Sequence, residues 1–118
     1  GGGRGGALMG RNRLKVDVTG EVATVRLPQE ITILLLDEIE QLGVTLAAPG
    51  LRRVELDFSA SELSTSTAIG CLVEKALACD GRGVQVAFNG AVGSVDRVLR
   101  RIGVYRRFPA SRPGPVSS

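Results

Sequence analysis

Leu56-Asp57-Phe58-Ser59-Ala60-Ser61-Glu62-Leu63-Ser64-Thr65-Ser66-Thr67-Ala68-Ile69-Gly70 is the stretch from which the fold can be read. At its start Val54, Leu56 and Phe58 alternate with Arg53, Glu55 and Asp57, the period of a strand with one covered face. Beyond it Ile69, Leu72, Val73, Ala76 and Leu77 recur at the i, i+3, i+4, i+7, i+8 spacing of an amphipathic helix, and Gly81 supplies its stop. Between the two patterns runs a hydroxyl-rich loop ending in Ser64, Thr65, Ser66 and Thr67. Such side chains favour helix starts because their oxygens accept the unpaired N–H groups of the first turn. The segment predicts strand, loop and helix in that order.

The same grammar extends in both directions. Val84, Val86 and Phe88 alternate with Gln85 and Ala87 as another strand. A helix is expected over about Val92 to Ile102, with Val92, Val95, Leu99 and Ile102 on one face, Arg97, Arg100 and Arg101 off it, and Gly103 as its stop. Toward the N-terminus, Leu14, Val16 and Val18 alternate with Lys15, Asp17 and Thr19, and Gly20-Glu21 reads as a tight turn. Ala23, Val25 and Leu27 then alternate with Val22, Thr24 and Arg26, so a hairpin with one buried face is expected, ended by Pro28. Thr32 is the expected cap of a helix over Ile33 to Ala47, with Leu35, Ile39, Leu42 and Leu46 inward, Asp37, Glu38 and Glu40 outward, and Pro49-Gly50 closing it. Strand and helix alternate, which calls for crossover connections. The expected class is α/β: a small mixed, mostly parallel β-sheet with an N-terminal hairpin and helices chiefly on one face. The domain is expected over residues 13–109, with flexible segments over 1–12 and 110–118.

Composition narrows the chemistry. A chain of 118 residues holds one modest core, and with Phe58, Phe88, Phe108 and Tyr105 as its only aromatics that core is aliphatic. There is no histidine, which removes Ser-His-Asp and Cys-His nucleophiles, most catalytic zinc sites and imidazole acid–base work. No convergent acid–base pair is evident, so the expectation is a protein that is not an enzyme and needs no metal or cofactor. The net charge of +3 is carried by the ends: setting aside Arg4, Arg11, Arg106, Arg107 and Arg112 leaves ten basic against twelve acidic residues. A specific nucleic-acid function is therefore not expected. Cys71 and Cys79, eight positions apart on one helix, are separated by about 12 Å of rise and cannot bridge. The longest apolar run, Ile33 to Leu36, is too short for a bilayer. No membrane insertion and a cytoplasmic address are expected.

The Leu56–Gly70 stretch resembles the signature of STAS domains, the family of bacterial anti-sigma-factor antagonists, in which a strand and short loop lead into Asp-Ser-Ser-Gly-Leu-Gly at a helix start. Thr65 falls where the family has Asp, Ser66 at its phosphorylatable Ser, Thr67 at the next Ser and Ala68 at the Gly, while Gly70 matches. The likeness continues through Gly81-Arg82-Gly83-Val84-Gln85-Val86 and Ala91 to Phe108, and in all spans about Leu14 to Phe108. Where many members have Gly-Glu-Leu-Asp, this chain has Pro28-Gln29-Glu30-Ile31.

The resemblance implies a protein-interaction module. Its partner would be an anti-sigma factor with a serine-kinase fold that itself carries the ATP, and phosphate on Ser66 would block binding. Ser66 and Thr67 are the candidate phosphoacceptors. Gln29, Glu30, Ser61, Leu63, Thr65, Ser66, Ile69 and Asn89 form the expected partner-binding set, with Leu63 and Ile69 as apolar anchors. An alternative in the same fold is a regulatory subunit of a transport complex that clamps its ATPase subunit constitutively. The module is expected to be a monomer or weak dimer. Read from the residues alone, the four hydroxyls also serve simply as helix caps.

Overall fold

The computed structural model describes residues 12–108. Strands β1 (Lys15–Thr19) and β2 (Val22–Arg26) form the hairpin, joined by a two-residue turn in which Gly20 takes a φ of 62°. A short strand β3 (Glu30–Ile31) leads into a 3₁₀ turn (Ile33–Leu35) and helix α1 (Leu36–Leu46). Then come β4 (Arg53–Asp57), a short β5 (Leu63–Ser64), α2 (Ser66–Gly81), β6 (Gln85–Asn89), α3 (Gly93–Ile102) and the single turn α4 (Val104–Arg107). The main sheet has the order β1-β2-β4-β6, with β1 antiparallel to β2 and the other pairs parallel. The α/β class and the mostly parallel sheet are as the patterns require.

The pleat decides which face is covered. Ala23 and Val25 of β2, Val54 and Leu56 of β4 and Phe88 of β6 are buried and share one side through the registers Ala23↔Val54, Val25↔Leu56 and Leu56↔Phe88. Against them pack Leu35, Ile39, Leu42 and Leu46 from the first helical stretch, Ala68, Ile69, Leu72 and Ala76 from α2, and Val95 and Leu99 from α3. Phe88 stacks between Phe58 and Phe108, at ring separations of 5.9 and 5.3 Å. The opposite sheet face is polar; there Arg53 pairs with Glu55 at 2.7 Å and reaches Gln85 at 3.3 Å.

Several expectations change. β1 is exposed along its whole length, because it overhangs the helical layer at the sheet edge: Val16 and Val18 are not buried as the alternation suggests. Thr32 does cap, but it caps the 3₁₀ turn, accepting from the Leu34 N–H at 3.3 Å. Val92 is the residue before α3 and lies open, as does Ile102 in part, so α3 is anchored by Val95, Val98 and Leu99 instead. Leu77 is also partly open. Asn12, expected in the N-terminal segment, grips Glu30: its side chain donates to the Glu30 carbonyl at 3.0 Å and accepts from the Glu30 N–H at 2.9 Å. The rest of the two end segments lies outside the described residues. Both cysteines are free thiols, Cys79 buried and Cys71 half-buried.

Candidate docking site at the cap of helix α2

The parallel strands all point their C-terminal ends at one edge of the molecule, and three loops leave from there. They are tied together by backbone groups. Glu62 and Leu63 N–H groups both donate to the Gln29 carbonyl, at 2.8 and 3.1 Å, and the Thr65 N–H donates to the Ile31 carbonyl at 3.0 Å. These bonds make the parallel β3–β5 ladder, Glu30↔Leu63 and Ile31↔Ser64. Ser61 reinforces it by donating its hydroxyl to the Pro28 carbonyl at 2.7 Å, and Gln29 donates its amide to the Glu62 carboxylate at 2.8 Å. The third loop joins through Ser94, whose hydroxyl donates to the Glu62 carbonyl at 3.0 Å. Gly90 makes the closest approach: with φ at 79° it lies so near Ser59 that a Cβ would sit 3.1 Å from the Ser59 nitrogen.

This platform presents the start of α2. Thr65 is its N-cap, in an extended conformation, and its hydroxyl accepts from the Ala68 N–H at 3.3 Å. Ser66 and Thr67 are therefore the first two helical residues, and both are exposed. Their own N–H groups have no acceptor within the helix, and the positive end of its dipole emerges beside them. The segments that follow the strand ends also carry exposed apolar side chains: Ile33 and Leu34, Leu63, and Val92. Leu34, at 86% exposure, is the most open of them.

Of the residues expected to meet a partner, Gln29, Glu30, Leu63 and Ser66 are exposed, Thr65 is half-buried in its capping role, and Asn89 is half-buried at the end of β6. Two are corrected. Ile69 is fully buried as part of the α2 core stripe, and Ser61 is 3% exposed with its hydroxyl spent on Pro28, so neither faces outward. Both support the surface from beneath. Val92 was expected on the inward face of α3 but precedes the helix and lies open, while Ile33 and Leu34, off the inward spacing of the first helix, were not assigned to the surface. Ser64, adjacent to the cap, is buried, and its hydroxyl finds no partner among the described residues.

The groups with displaced titration are not the cap residues themselves but Cys79 on α2, Asp96 and Arg100 on α3 and Tyr105 on α4. Tyr105 is pushed up to about 12 by burial and by the hydrogen bond it donates to Asp96 at 3.0 Å. The Arg100 guanidinium, 2.7 Å from Asp96, holds that carboxyl below its usual range. Burial pushes the Cys79 thiol up. Among the described residues no cluster of three or more Cys, Asp or Glu could hold a metal ion, and no helix is long and apolar enough to cross a membrane. What the cap offers is two exposed hydroxyl residues, Ser66 and Thr67, at a helix start.

A family model described as Mlab, STAS domain, matches residues 14–108. Among solved structures, an anti-sigma factor antagonist from Mycobacterium paratuberculosis superimposes with a TM-score of 0.73 at 19% identity, covering 85% of each chain. The anti-sigma factor antagonist SpoIIAA in its unphosphorylated form gives a TM-score of 0.71 at 12% identity, over 84% of this chain and 88% of that one. The STAS domain of a SulP transporter from Vibrio cholerae gives 0.61 at 17% identity, over 76% and 70%. At these identities the likeness is one of fold. No curated protein matches the sequence significantly.

Proposed function

The chain belongs to the STAS domain family, and from that premise we propose that it is a protein-docking module whose partner is a kinase-type anti-sigma factor and whose switch is phosphate on Ser66. STAS domains are in general regulatory binding modules rather than enzymes. The observation that carries this reading is the exposed position of Ser66 in the first turn of α2, directly after the Thr65 cap.

The mechanism is electrostatic. A partner lying on the cap covers the neutral hydroxyls and buries exposed Leu63, with Gln29, Glu30 and the Thr65 cap at its margin. Transfer of the γ-phosphoryl group from ATP on the partner replaces the Ser66 O–H bond with an O–P bond, and ADP and a proton leave. The phosphate carries a charge of about −1.5 to −2. The helix start accommodates it through free N–H groups and the dipole, so the fold is untouched. The partner, however, now meets a strongly hydrated anion it cannot pair, and it is released. Thr67, one residue on and equally exposed, is the second candidate acceptor.

The test is incubation of the chain with a serine kinase of the anti-sigma class and ATP, read by mass spectrometry. One phosphate should be gained and should vanish in Ser66→Ala. Phosphate at another residue, or none, overturns the switch. A second reading is favoured by Thr65, which stands where the family's signature has a carboxylate: a constitutive clamp on the ATPase subunit of a transport complex. Affinity capture separates the two, since one yields a sigma-regulator kinase and the other a transporter ATPase.

A further inference from the structure

Strand β1 is one edge of the main sheet, and its free side has no pairing partner among the described residues. In the hairpin the pair next to the two-residue turn, Thr19↔Val22, is the hydrogen-bonded kind, and the pairs alternate from there. Lys15, Asp17 and Thr19 therefore spend their backbone groups on β2, while Val16 and Val18 turn their N–H and C=O groups outward. Their side chains lie on the helix side of the sheet, opposite Val25 and Ala23, and remain open at 38% and 54% exposure. Lys15 and Asp17 project on the polar face. Neither has an ion-pair partner among the described residues, and Lys15 stands directly opposite Arg26, a like-charge pairing.

Charges on an edge strand ordinarily discourage pairing. Here they have opposite signs two residues apart, so one arrangement makes them attract. We propose that β1 is a self-association edge that pairs antiparallel with β1 of a second copy of this chain, about a two-fold axis at Val16. In that register Lys15 faces Asp17 of the second copy and Asp17 faces its Lys15, which relieves the Lys15–Arg26 repulsion. Val16 meets its own equivalent and exchanges backbone hydrogen bonds with it. Val18 of the second copy comes opposite Leu14, at a groove of about 150 Å³ lined by Leu14, Val16 and Leu42, with Glu38, Gln41 and Thr45. Leu14 offers only its carbonyl to this ladder, because its N–H already donates to Glu38 at 2.9 Å. The competing register centred on Asp17 sets two carboxylates face to face and is disfavoured.

The pairing strand is short, so the dimer is weak, with dissociation on the order of 100 µM. It is measured by sedimentation equilibrium on the full chain from micromolar to millimolar concentration. Lys15→Asp and Asp17→Lys each turn both cross-copy attractions into repulsions, and each should weaken self-association about 30-fold. Both positions are exposed, so a cooperative melt with a midpoint close to or above the parent's shows the fold intact, Lys15→Asp gaining an opposite charge across from Arg26. An equimolar mixture of the two variants places Asp against Lys at both positions and should dimerise again. A chain that stays monomeric at millimolar concentration overturns the proposal. So does a dimer indifferent to Lys15→Asp, which would mean the Asp17-centred register or another surface.

Discussion

Ser61 and Ser64 sit three residues apart on the connection from β4 to α2, are 3% and 9% exposed, and should respond to the same substitution with opposite sign. Ser61→Ala deletes a hydroxyl that donates to the Pro28 carbonyl at 2.7 Å and leaves that buried-side acceptor short of a partner. A lost net hydrogen bond plus an unpaired carbonyl costs about 2 kcal/mol. Ser64→Ala deletes a hydroxyl that is buried without a partner among the described residues, so it removes a desolvation penalty and should stabilise by about 1 kcal/mol. In a domain of this size 1 kcal/mol moves Tm by about 4–8 °C, so the variants should melt well apart, on either side of the parent. Urea denaturation monitored by far-ultraviolet circular dichroism gives the free energies, with the m-value checking that the unfolded reference is unchanged. If Ser64→Ala loses stability as Ser61→Ala does, then Ser64 has a partner after all and the reasoning from its isolation fails.

Other expectations are simpler to state. Thr65→Ala, which loses the cap on Ala68, should cost about 1 kcal/mol in the same urea assay, whereas Thr65→Asp should keep the cap. Gly90→Ala forces a left-handed backbone and a contact with Ser59 at once, and should cost about 1–3 kcal/mol of stability; a neutral result would refute the close approach. Tyr105 is the single tyrosine, so absorbance near 295 nm follows it cleanly. Its phenol should stay protonated until about pH 12 in the folded chain and ionise near the ordinary 10.0 once unfolded. Because the folded value is the higher, the native state should lose stability as pH rises across that window, and Asp96→Asn should bring the folded midpoint down.

The elements that position the cap were legible wherever side chains alternate or recur, since periodicity records which face is covered. Leu72 and Ala76 in α2 are examples, and Ile69 belongs with them: its helical spacing spoke for the core, and the likeness to a docking surface pulled the reading the wrong way. The β3–β5 ladder was not legible. Its bonds run from the Gln29 and Ile31 carbonyls to backbone N–H groups, and backbone leaves no mark in side-chain pattern. The 3₁₀ turn over Ile33–Leu35, expected as the start of the α-helix, was hidden for a related reason. A single 3₁₀ turn changes the phase of a helix without changing its composition. β1 misled in the opposite sense, because alternation reveals two faces but not whether anything lies over one of them.

Asn12 has a mechanical consequence. Its amide takes both the N–H and the C=O of Glu30, holding that peptide as a neighbouring strand would. A pull on the chain ahead of Asn12 is therefore borne first by those two bonds, and behind them lies the peptide that seats Gln29 and Leu63. Load applied there would loosen the β3–β5 ladder before it disturbed the core, making the clamp a fuse between the segment ahead of Asn12 and the proposed docking site.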